Sequence, residues 1–222
     1  MRSLLQPGVL KSACIAALIT SLVGFPRLAL WRDRPRPLWL LSLTLAWASF
    51  ILWSFVFAWR PQNARRQILF LGVRPALWSA ATVAGLAGAV MLRLFIDSVW
   101  RPLMPTDYPD TQEAWLAMTL FVLAFDQLFL CFAPFAFFTR LSRNQRSAAV
   151  LTVLFGVALL CLRIKFLASL VSPFFIAELF VWRTAAGFLT LYFYLRGGAL
   201  LVWWWVLLLQ LRHLIPVTVP AP

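Results

Sequence analysis

Apolar residues run along this chain in long unbroken blocks. They follow neither the strict alternation of a half-buried strand nor the single stripe of a helix on a soluble core. Leu38 to Trp59 contains no charge and is bracketed by Arg36 and Arg60, with Trp39 and Trp59 at its two ends. A helix rises about 1.5 Å per residue and the hydrocarbon layer is roughly 30 Å thick, so about 20 apolar residues cross it. Tryptophans at both ends sit where interfacial aromatics belong. This block is a membrane-spanning helix.

The same criterion divides the rest. Ser12 to Leu30 is a first span, with Arg27 close enough to its end to reach the headgroups. It is expected to be a retained helix, because no small-x-small cleavage site followed by a polar start succeeds it. Ala76 to Leu92 is a third span, in which Ala81 with Gly85, and Ala84 with Gly88, set small residues four apart and allow another helix close approach. Asp97 to Glu113, with Pro102, Pro105 and Pro109, is expected to be an aqueous loop, since such backbone is not tolerated against lipid. Ala114 to Thr139 is a fourth span interrupted by Asp126 and Pro134; the basic segment Arg140 to Arg146 follows, then Ala148 to Leu162. Phe166 to Trp182, with Pro173 and Glu178 inside it, Thr184 to Leu195 and Ala199 to Leu211 complete the set; the last two, separated by Arg196, Gly197 and Gly198, form either two short helices packed inside the bundle or one bent hairpin. The pattern predicts an all-α, polytopic transmembrane bundle of about eight helices, with six or seven as alternatives, forming one membrane domain over residues 1–222.

Composition agrees. Of 222 residues 63% are apolar and 12% charged, about half the charged fraction of an ordinary soluble domain. The net charge of +13 would suggest nucleic acid in a soluble protein, but no basic stretch is interleaved with solvent-facing aromatics, so nucleic acid is not expected as a partner. With eight spans and the N-terminus inside, the acidic loop falls outside, the Arg65/Arg66 and Arg140 to Arg146 clusters fall inside as the positive-inside tendency prefers, and Arg183 and Arg212 join them on the cytoplasmic side. Arg32, Arg34 and Arg36 then lie on the disfavoured side. The charges mark helix ends and favour membrane lipids as neighbours. Cys14, Cys131 and Cys161 stand apart in apolar runs, and the single histidine, His213, is expected to be a solvated interfacial residue. No disulfide framework, metal site or cofactor follows from them.

Ionisable groups at bilayer depth are costly and face the bundle interior. Asp126 lies near the middle of its span and Gln127 follows it. Asp126 serves either as a buried packing pair, with Arg163, Lys165 or Arg183 as partner, or as a carboxylate at work in a cavity. Glu178 lies nearer a helix end.

The run Phe70-Leu-Gly-Val-Arg-Pro75, the small-residue helix, the polar segment, the acid deep in a helix and the closing Tyr192-Phe-Tyr-Leu-Arg-Gly-Gly-Ala-Leu200 together resemble the CPBP family of intramembrane proteases, the CAAX-protease and bacteriocin-processing proteins. The resemblance covers about Leu69 to Leu211. It implies N-terminal helices over 1–67, a helical core over 68–211 and a tail over 212–222, in a bacterial inner membrane. The family's Glu-Glu-x-x-x-Arg motif corresponds to Asp126, Gln127 and Cys131, keeping one shortened carboxylate. Its Phe-x-x-x-His motif corresponds to Phe155 and Leu159, and its His-x-x-x-Asn motif to Leu207 and Leu211; His213 does not fit that register. Loss of the imidazoles removes proton transfer and oxyanion stabilisation. The resemblance therefore implies a scaffold that binds or assists a membrane peptide or lipid-linked partner around Asp126, with Cys131, Phe155, Leu159, Leu207 and Glu178 lining the cavity. The rival readings are an endopeptidase that uses Asp126 and Gln127, and a small proton-coupled transporter with Asp126 and Glu178 on its path.

Overall fold

The computed structural model describes residues 4–31, 35–63, 72–165 and 171–214, with the side chains of 60–63 undescribed. Arg32, Arg34, Arg65, Arg66 and the start of the run from Phe70 therefore lie outside the described residues, as does the start of the span expected from Phe166. Among the described residues the structure is helical without strands, and six helical segments are long and apolar enough to cross a membrane. These are α1 (Pro7–Ala29), α2 (Leu38–Asn63), α3 (Pro75–Leu103), α4 (Gln112–Ser142), α5 (Gln145–Ile164) and a final segment, Pro173–His213.

Local chemistry sets the boundaries. Pro7, Pro75 and Pro173 open their helices, where a missing N–H costs nothing and the fixed φ already suits the helix. Ser172 Oγ accepts from Phe175 N at 3.2 Å, Thr111 Oγ1 from Ala114 N at 3.1 Å and Asn144 Oδ1 from Arg146 N at 2.9 Å, satisfying amides that the first turns leave free. Arg143, at φ 54°, ends α4 in the left-handed region. Leu18, Leu22, Trp47, Val83, Leu154 and Val181 point outward and exposed. An apolar surface around the bundle is suited to lipid and not to water.

The final segment departs from the expected eight-helix count. Gly198 has φ 73° and ψ −168°, outside any helix. Trp205 Nε1 nevertheless donates to Thr190 Oγ1 at 3.3 Å across 15 positions, which a continuous helix would hold roughly 22 Å apart. The chain therefore reverses at Gly198, dividing the segment into α6 (173–197) and α7 (199–210), the latter continued by a 3₁₀ turn, Leu211–His213. From Pro173 onward the expected Phe166–Trp182 and Thr184–Leu195 spans form one helix. Pro173 stands at its first turn and not in its interior, and Arg183 is no boundary.

α3 packs along this hairpin through its small residues: Ala81 is fully buried, Gly85 faces Leu208, Gly88 faces Leu209 and Trp182, and Trp204 Nε1 donates to Thr82 Oγ1 at 2.9 Å. α1 and α2 pair on the other flank, where Trp53 Nε1 donates to Thr20 Oγ1 at 2.9 Å. Gly24 of α1 abuts Phe121 in the first half of α4, and Trp59 of α2 packs on Phe135 in its second half. α5 lies between α4 and α6.

The expected loop from Asp97 to Glu113 is mostly helix: α3 runs to Leu103 and α4 starts at Gln112. Asp97, near the end of α3, and Asp107, in a short 3₁₀ turn beyond it, are paired. Arg212 Nε donates to Asp97 Oδ2 at 3.1 Å, Tyr108 Oη donates to Asp97 Oδ1 at 2.9 Å, and Arg163 pairs with Asp107. Burial, followed by the Asp97 charge, pushes the Tyr108 phenol above its ordinary range, so it remains a donor. His213 is buried, with its ring edge-on to Tyr108 at 5.1 Å, and is not solvated. Residues 212–213 thus belong to the bundle rather than to a tail, and Arg212 lies at the acidic end, opposite its expected side. Lys11, Arg74, Arg140, Arg143, Arg146 and Arg196 lie toward the other end.

Candidate functional site

A cavity of about 380 Å³ lies where α4, α5, α6 and α7 diverge. Its walls include Asp126, Gln127 and Cys131 of α4, Thr152 and Gly156 of α5, Trp182 and Arg183 of α6, and Trp205 and Gln210 of α7. Arg163 and Arg212 stand at the end near the paired acids. From Gly156 to Arg163 it rises roughly 10 Å at 1.5 Å per residue.

Backbone geometry aims the α4 side chains. Val122–Asp126 and Leu128–Phe132 are π-helical turns, and Gln127 sits between them. Pro134 has no N–H, and its ring would collide with the carbonyl of Leu130 in an α-helix, so a wider turn before it relieves the clash. Widened turns shift the side-chain register of a helix and recur at functional sites. Here they bring Asp126, Gln127, Leu130 and Cys131 to one wall.

Asp126 and the Arg183 guanidinium line the same space. Among its surroundings the opposite charge that acts most strongly on the carboxyl is the Arg183 guanidinium, and Asp126 is likewise the foremost charge acting on Arg183. No direct ion pair or hydrogen bond joins them among the described residues. Arg183 Nε donates to the Gly156 carbonyl at 3.3 Å, and the guanidinium packs against Gly156. A Cβ at 156 would stand 2.8 Å from Arg183 Nη2 and 3.1 Å from Nε. Gly156→Ala is therefore expected to destabilise the fold only while the guanidinium is present. A double-mutant cycle with Arg183→Met, followed by thermal unfolding in detergent, should give a coupling of about 1 kcal/mol; additive effects would contradict this packing.

Gln210 is 8% exposed, and its Oε1 is buried without a hydrogen-bond donor among the described residues. Thr152 and Thr190 turn their hydroxyls back onto Ala148 and Ala186 carbonyls at 2.8 and 2.7 Å. Trp182, Trp205 and Leu209 are among the apolar residues of the wall.

The structure brings Asp126, Gln127 and Cys131 together but leaves the other expected residues off the lining. The Phe155 ring stands 5.7 Å from that of Phe129, and Leu159 follows one turn later on the same helix. α7 presents Trp205, Val206, Leu209 and Gln210 to the cavity, so Leu207 lies off that face. Glu178 stands one turn before Trp182 on α6, outside the lining. Of the partners expected for Asp126, Arg183 is the one whose charge acts on it, while Arg163 is engaged by Asp107. Arg183 as a cavity residue, Gln210, Thr152 and Gly156 escaped the sequence reading. Counting from Pro173 as a helix start would have set Arg183 ten residues, or roughly 15 Å, into the bilayer.

No imidazole accompanies Asp126, since His213 lies against Tyr108 at the acidic end. No group of three His, Cys, Asp or Glu residues suited to a metal ion occurs among the described residues. No family model matches the sequence, and comparison with curated proteins and with solved structures found no match.

Proposed function

We propose that this multi-pass membrane protein is a non-catalytic intramembrane binder, a CPBP-like scaffold that holds a membrane peptide or lipid-linked partner in the cavity around Asp126. The observation that carries this reading is the pair of opposite charges, Asp126 and Arg183, facing one cavity without touching. A carboxylate and a guanidinium kept apart near mid-membrane cost several kcal/mol unless something engages them. A polar ligand is that something. The protease reading is weaker, because a lone carboxylate lacks the second group that would protonate a leaving amine. The end that bears the Arg140, Arg143 and Arg146 cluster is assigned to the cytoplasmic side of a bacterial inner membrane on the strength of that cluster, Lys and Arg being otherwise about evenly divided between the two ends.

A photo-crosslinking residue in place of Thr152, which lines the cavity, tests the reading in native membranes. Capture of a lipid or peptide is expected, and Asp126→Asn should lower it about tenfold, the factor that the loss of one charge-assisted hydrogen bond allows. Capture unaffected by Asp126→Asn would defeat the proposal. So would peptide fragments that vanish with that substitution, which would mark Asp126 as the base of a peptidase.

A further inference from the structure

The geometry points to a zwitterionic ligand with a primary ammonium, of the phosphoethanolamine kind, bound with the ammonium at Asp126 and the anionic group at Arg183. This deepens the binding function proposed above and rests on it. Three observations carry it. First, the cavity offers one acceptor charge and one donor charge that are not joined to each other. A simple anion would satisfy Arg183 and leave Asp126 facing another negative charge; a simple cation would do the reverse. A molecule bearing both signs bridges the two and leaves neither charge unpaired.

Second, the arginine is prepared for an anion. Its Nε is committed to the Gly156 carbonyl, which orients the flat guanidinium and leaves its terminal N–H groups as donors. A fixed fork of this type suits a phosphate or carboxylate. Arg163 and Arg212, also on the lining, do not offer the same function, because Asp107 and Asp97 occupy them.

Third, Gln210 is more than nine-tenths buried at the cavity wall, with an acceptor oxygen that lacks a donor among the described residues. A ligand with N–H groups supplies donors to Asp126 and Gln210; a quaternary choline-type cation has none. Trp182, Trp205 and Leu209 provide apolar wall for carbon chains. A space of about 380 Å³ takes a headgroup with the first part of its chains and not a whole lipid. The same chemistry occurs in a free zwitterion, and the test separates the two.

The purified protein would be loaded in nanodiscs with equal parts of phosphatidylethanolamine, phosphatidylglycerol and phosphatidylcholine, and lipid retained after release would be read by native mass spectrometry. Phosphatidylethanolamine should be retained about tenfold over the other two, as one charge-assisted hydrogen bond allows. Asp126→Asn should abolish its advantage over phosphatidylglycerol, and Arg183→Gln its retention altogether. Gln210→Leu, which removes no charge, should lower the preference several-fold and serves if either charge variant fails to fold. Displacement by soluble glycerophosphoethanolamine would assign the site to a free zwitterion; no displacement would assign it to the lipid. Equal retention of the three lipids, or a preference that survives Asp126→Asn and Gln210→Leu, overturns the inference. If the crosslinker at Thr152 then captures a peptide, the binding function stands and only its ligand class falls; if it captures nothing, both fall.

Discussion

Replacing Gly198 with alanine is expected to lower the unfolding free energy by about 2–3 kcal/mol, because φ 73° with ψ −168° is a conformation essentially reserved for glycine. The strain falls at the reversal between α6 and α7, which brings Trp205 to Thr190 and forms one wall of the cavity. Thermal unfolding in detergent should show a clear fall in the midpoint. Gly8→Ala is the control, since a Cβ at residue 8 meets nothing within 4 Å. Equal midpoints for the two variants would mean that the chain does not turn at Gly198 as described.

Gly85→Leu is expected to be equally damaging, by about 3 kcal/mol, for a different reason. A Cβ at residue 85 would lie 2.8 Å from Leu208 Cβ and 3.3 Å from the Trp205 carbonyl oxygen. Neither is the free end of a flexible side chain, so α3 would have to lift off the hairpin as a body. At Gly88 the nearest atoms are the tips of Leu209 and Trp182, which can rotate away. Gly85→Leu should therefore lower the melting midpoint well beyond Gly88→Ala. A comparable loss from both would argue against the close approach at Gly85.

These two glycines also show what the sequence could disclose. The small residues at four-residue spacing signalled a close helix contact, and the contact exists, because spacing on a helix fixes which residues share a face. Leu38 to Trp59 was legible because an uncharged block has no other solution in a bilayer. Asp126 and Gln127 were found because they interrupt such a block, and both line the cavity.

The failures share a cause. The span count took Arg183 and the charges from Asp97 to Glu113 as boundaries, yet charges whose partners are distant in sequence can stay inside helices. Asp97 remains on α3 because Arg212 is 115 positions away along the chain and 3.1 Å away in space. Arg183 remains on α6 because Gly156 makes room for it and Asp126 shares its cavity. Gln210 passed unnoticed inside the Ala199 to Leu211 stretch, and only the reversal at Gly198 turned it toward the cavity. Tertiary pairing of this kind leaves no periodic trace in a single sequence.

The reversal at Gly198 also bears on which compartments the chain visits. After it, α7 climbs back to the level of Trp115, whose indole Nε1 donates to the Gln210 carbonyl at 2.9 Å. Residue 213 thus emerges beside the acidic junction of α3 and α4, whereas Pro7 starts α1 at the end that bears the Arg140 cluster. An even number of passes would bring both to one face. With the extra half of the hairpin the described ends fall at opposite ends of the bundle, and reporters attached before Pro7 and after His213 are expected to sample opposite compartments.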